Sequence, residues 1–172
     1  MSYDAKAIAN YFLDAAAKQN ASLTPMKLQK LIFFAHGWYL ALYGEPLIAD
    51  QIEAWQFGPV VPSIYHEFKH ARSGAISSRA TEFDLDTFEL IEPEVPKSDE
   101  RSRSLMDKVW QTYGKFSAFQ LSNLTHLPDT PWATVRAKLD MPGRNVPIEE
   151  GLIKDHFTKL AQKNRAAHGE AA

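Results

Sequence analysis

His66-Glu67-Phe68-Lys69-His70 is the stretch of this chain whose residue types and spacing come nearest to spelling out a reaction. Two histidines four apart lie one above the other on a helix and can hold zinc, and the glutamate between them can act as general base toward a metal-bound water. The surrounding pattern points to a plainer use. Val61, Ile64, Tyr65 and Phe68 form the apolar stripe of the same helix, and at about 100° per residue His66 and His70 point away from it, toward solvent. Lys69 lies inside the motif and Arg72 just beyond it, charges that an embedded metal helix would have to bury unpaired. Glu82, Glu89, Glu92 and Glu94 offer carboxylates as a third ligand, but none stands at metzincin spacing. The main reading is a solvated helix face with no catalytic residue, cofactor or metal. A zinc-dependent peptidase using His66, Glu67 and His70 is the alternative.

Other reactive patterns are missing. The chain has no cysteine, which excludes disulfides, thiolate metal sites and cysteine nucleophiles. It has neither a Gly-x-Ser-x-Gly elbow nor a phosphate-cradling glycine loop. Thr24, Lys27, Lys30 and His36 resemble a helix-turn-helix offering lysines to phosphate, yet the residues after Lys30 are core-like, whereas a DNA-reading helix needs an exposed basic face. His36, among Phe33, Phe34 and Trp38, reads as a hydrogen-bonded core or pocket histidine. A formal net charge of -2 gives no general attraction to nucleic acid or anionic lipid, so neither partner is expected.

Two features favour a protein-binding surface. Residues 80–96 carry six acids, Glu82, Asp84, Asp86, Glu89, Glu92 and Glu94, and no base, enough to attract and orient a basic partner. Trp55 and Phe57 stand beside Gly58 and Pro59, two aromatics at a rigid turn, a composition found in interface hot spots and equally in cores.

The elements that must position these residues are mostly helical. At 172 residues, with ten Phe, six Tyr and four Trp, the chain can bury one real core. Ile8, Tyr11, Phe12, Ala15 and Ala16 mark a first amphipathic helix. Thr24-Pro25 opens a second that stops at Gly44; its half from 31 to 43 is apolar nearly all round, too short for a membrane span and suited to a central core helix. Between Pro46 and Pro62, Ile52, Ala54 and Gln56 alternate with Glu53, Trp55 and Phe57, which predicts one or two short strands closed by a turn at Gly58-Pro59. A helix resumes at Pro62, and Phe83, Leu85, Phe88 and Leu90 fit a weak hairpin. Leu105 to Tyr113, a capping box at Ser117 and Gln120, Thr130-Pro131, and Ile153, Phe157 and Leu160 announce four more helices. The expected fold is mainly α with a minor short β-hairpin: a single compact helical domain over 1–163, built around a buried central helix, then a flexible tail over 164–172. Nothing at the start reads as a signal peptide, so a cytoplasmic protein is expected.

Thr24-Pro25-Met26-Lys27-Leu28-Gln29-Lys30-Leu31, Phe34-Ala35-His36-Gly37-Trp38-Tyr39, the run from Ile52 to Pro62, and Tyr65-His66-Glu67-Phe68 together resemble the Panacea domain, also called the phage-associated GepA-like family. Ser117 to Trp132, with its Leu-Ser, Thr-His and Pro-Trp pairs, resembles the family's second half. The resemblance implies a helical antitoxin of a bacterial toxin-antitoxin pair, whose partner is a cognate protein toxin encoded beside it. It further implies, for the SocA-like branch, a proteolytic adaptor that hands the toxin to the ClpXP protease. It brings no catalytic residue and no metal role for the segment around Tyr65. The acidic stretch and the tail fall outside the likeness. The tail's end, Ala171-Ala172, is similar to the Ala-Ala terminus that ClpX accepts, with an inert frayed end as the plainer reading.

Overall fold

The computed structural model describes residues 1–139 and 145–169. Asp4 caps helix α1 (Ala5–Lys18) by accepting from the Lys6 amide, and Thr24 caps α2 (Pro25–Tyr43) by accepting from the Lys27 amide. Each cap satisfies one of the amides that a helix start leaves without an internal partner. Pro25 occupies the first turn, where its missing N–H costs nothing, and Gly44 ends the helix.

Helix α2 is the axis of the molecule, as its apolar second half predicts, although Leu42 and Tyr43 in its last turn are exposed. It is buried continuously from Leu28 to Gly37 and again at Tyr39 and Leu40. Around it pack α1, the short strand β2 (Gly58–Val60), α3 (Pro62–Phe68), α4 (Glu100–Tyr113), α5 (Ala118–Thr125) and α7 (Glu150–Gly169). α6 (Pro131–Ala137) lies outside, against α5 and α7. The closest approach is at Gly37, where a Cβ would stand 2.1 Å from the ring of Phe157. Glycine there lets α7 seat Phe157 edge-on to Phe33, Phe34 and Trp38, while Phe34 stacks on Tyr113 at 4.2 Å. Each buried aromatic contributes roughly 2 to 3 kcal/mol, and each well-placed ring pair about 1 more.

Strand β1 (Glu53–Trp55) pairs antiparallel with β2, Glu53 opposite Val60 and Trp55 opposite Gly58. A third strand, β5 (Val146–Pro147), adds to the other side of β1, giving the order β2-β1-β5. The turn therefore falls on Gln56 and Phe57, not on Gly58-Pro59 as expected; those two open β2. Pro59 is tolerated because β2 is an outer strand, where a missing donor breaks no ladder. The second hairpin, β3 (Glu82–Asp84) with β4 (Glu89–Ile91), forms where Phe83 and Leu90 announced it, as a separate two-stranded ribbon.

Two further expectations change. Tyr65, assigned to the buried stripe of α3, is 41% exposed, because Trp55 on β1 draws its ring outward to 4.8 Å between centroids. Residues 164–169, expected to begin a flexible tail, are exposed but helical, as the end of α7. Ala171 and Ala172 lie outside the described residues. No helix among the described residues is long and apolar enough to cross a membrane.

Candidate functional site

Among the described residues the His66-Glu67-x-x-His70 segment meets no third side chain placed to complete a metal centre. The α-helix closes at Phe68 and the chain tightens into a 3-10 turn over Lys69–Ala71, so the two histidines no longer share one regular helix. His66 and His70 are exposed, and His66 rests edge-on against Tyr65. The Glu67 carboxylate accepts from the Thr81 amide at 2.9 Å and lies 3.6 Å from Lys6 Nζ. It works as a tether between α3, α1 and the chain entering β3, which leaves no free base over a metal. Among the described residues no group of three or more such side chains is placed to hold an ion.

The lysines of α2 are turned inward, away from any phosphate. Lys27 donates to the Gly114 carbonyl at 2.6 Å and lies over the Trp110 ring. Lys30 is 1% exposed and donates to the Pro59 carbonyl at 3.3 Å. Burial lowers its pKa from the ordinary 10.5 to about 7. His36 is the core histidine expected: it accepts from the Ile48 amide, and burial pulls its pKa down to about 4. The nearby Glu150, 3.9 Å away, therefore makes no ion pair with it at neutral pH.

The residues that carry the likeness come together around the β1–β2 hairpin. Its carbonyls are received one after another by side chains from three helices: Ala54 by Arg136, Trp55 by Trp132, Phe57 by Ser122 and Pro59 by Lys30. Gln29 closes the series by both donating to and accepting from the Val61 backbone. Gly58, at φ +119, has the conformation that glycine alone adopts freely, and a Cβ there would meet Lys30 Cε at 2.7 Å. Behind the hairpin His126 stacks on Trp132 at 3.8 Å, and its buried Nε2 has no hydrogen-bond partner among the described residues. Burial, then the nearby Lys30 charge, holds its pKa below the usual value.

A hairpin held at four of its carbonyls, and again just past its end at Val61, can present its tip without the entropy of a loose loop. Gly58 and Pro59 are buried in this support. Trp55 is half-buried and packs on Tyr65, while Phe57 stands out at 61% exposure. The outward aromatics are thus Phe57 at the turn and the Trp55–Tyr65 ring pair on β1 and α3. Sequence reasoning found the first two and missed Tyr65, whose helical spacing matched the core, and Lys30, whose acceptor lies 29 positions along the chain.

The acids do not join this patch. Glu82, Asp84, Asp86 and Glu89 belong to the β3–β4 ribbon, with Glu92 and Glu94 at its base paired to Arg79. Asp84 folds back to accept from the Asp86 and Thr87 amides, which holds its carboxyl below the usual range. Glu82 is raised by burial and by the neighbouring Asp4.

The family described as "Antitoxin SocA-like, Panacea domain" matches residues 28–133. The chain is 35% identical over 161 residues to a protein named Antitoxin SocA of Caulobacter vibrioides (strain NA1000 / CB15N), covering 91% of this chain and 83% of that one. No solved structure matches it.

Proposed function

Because the chain belongs to the SocA-like, Panacea-domain antitoxin family, we propose that it neutralises a toxin encoded beside it by direct protein-protein contact, as a binding protein of the cytoplasm rather than an enzyme. The observation that carries the contact surface is the exposed Phe57 at the turn of the β1–β2 hairpin, with the Trp55–Tyr65 ring pair on β1 and α3, on a backbone fixed by Lys30, Ser122 and Trp132. Rigid aromatic anchors of this kind carry most of the energy in protein interfaces. Co-expression with the product of the neighbouring gene tests the reading. Growth is restored and the two proteins co-purify if it is right; growth restored without any complex points to an adaptor or an enzyme instead.

Delivery of the bound toxin to ClpXP is the second part of the proposal, supported by membership of the SocA-like branch. The toxin's cellular half-life then shortens when this protein and an active ClpXP are both present. An unchanged half-life leaves a pure neutraliser.

A further inference from the structure

Five large apolar side chains are exposed within nine residues of the β3–β4 ribbon: Phe83, Leu85, Phe88, Leu90 and Ile91, between 43% and 76% of their surface. None belongs to the core. A two-stranded hairpin without a packed face is marginal in water, and this one is secured from its base instead. Asn10, wholly buried on α1, donates to the Ala80 and Pro93 carbonyls and accepts from the Ala80 amide, so it clamps both legs. Glu67 and Lys6 hold the amide and carbonyl of Thr81, and Arg79 pairs with Asp14, Glu92 and Glu94. At the tip Phe88 sits at φ 58, a left-handed conformation that costs a bulky side chain about 1 to 3 kcal/mol. Both the anchoring and the strain hold up side chains that stand outside the core, with Phe83 and Phe88 meeting edge-on at 6.2 Å within the ribbon.

We propose that this ribbon is a second docking surface for the same toxin, and that it takes a cationic segment carrying aliphatic or aromatic anchors. The inference rests on the antitoxin reading and deepens it. Charge selects the occupant. Residues 80–96 hold six acids and no base, and Asp84, Asp86 and Glu89 make no salt bridge among the described residues. A second copy docking ribbon to ribbon would set these like charges against one another. Anionic lipid and nucleic acid are repelled for the same reason. A basic protein segment gains from both the acids and the apolar rings, and its approach is electrostatically steered.

The test uses the full-length protein and the purified product of the neighbouring gene, with affinity measured across a salt series. Asp86→Lys with Glu89→Lys alters two side chains that make no hydrogen bond among the described residues, so folding is left alone. This pair of changes is expected to weaken binding about tenfold or more at low salt, with the gap closing as salt rises. Phe88→Ser is expected to weaken it by a similar factor that salt does not restore. Binding of both variants within about twofold of the parent, while Phe57→Asp abolishes it, would overturn the ribbon's role and leave the antitoxin reading standing. Absence of any complex with the parent protein would sink both.

Discussion

Lys30 Nζ lies 2.8 Å from where a Gly58 Cβ would be and 3.3 Å from the Pro59 carbonyl, a buried amine under the hairpin with no carboxylate paired to it among the described residues. Burial lowers its pKa to about 7. The folded state therefore sheds between about pH 7 and 10 a proton that the unfolded chain keeps, and stability rises with pH across that window. Lys30→Met should flatten this rise and match or exceed the parent's stability near pH 6, because no amine then has to be buried. Chemical denaturation at several pH values reads this out. Parallel curves for the two proteins would show that Lys30 does not titrate with folding.

Gly37→Ala should lower stability by about 1 to 3 kcal/mol, since the new methyl enters the Phe157 ring and α7 must shift away from α2. Thermal unfolding checks it, and an unchanged midpoint would mean that α7 seats less tightly than its geometry implies.

Asn10→Ala removes three hydrogen bonds at the base of the ribbon and leaves two carbonyls and an amide without that partner. A loss of about 2 to 5 kcal/mol is expected, together with faster hydrogen exchange at 80–95 than elsewhere. Uniform acceleration through α2 would show that the ribbon is not a separately anchored unit.

Local signals were legible in the sequence because they act within a few residues. Thr24-Pro25, the Ser117 and Gln120 capping box and Thr130-Pro131 each start a helix where expected. Signals that depend on distant partners were not. The burial of Lys30 is decided by a carbonyl 29 positions away, the exposure of Tyr65 by Trp55 on a strand, and β5 is too short to show alternation. The β1–β2 turn slipped by two residues because Gly58-Pro59 looks like a turn, whereas its glycine serves close packing against Lys30.

The peptidase alternative has its own test. Glu67→Gln keeps an oxygen for the Thr81 amide and loses only the pairing with Lys6, whose two side chains are 17% and 22% exposed, so stability should fall by no more than about 2 kcal/mol and neutralisation should persist. His66→Ala with His70→Ala should be equally silent. Loss of neutralisation in a folded Glu67→Gln protein, together with about one zinc per chain by metal analysis, would restore the catalytic reading.

Whether the hairpin tip grips the toxin is decided by the affinity of Phe57→Ala for the purified product of the neighbouring gene. Phe57 is 61% exposed and is not part of the core, so the variant should keep the parent's melting temperature. Binding is expected to weaken by a factor of about 30 or more, the scale of a central aromatic anchor, and growth rescue should fail with it. An affinity unchanged from the parent, with rescue intact, would contradict the claim and move the interface elsewhere on the domain.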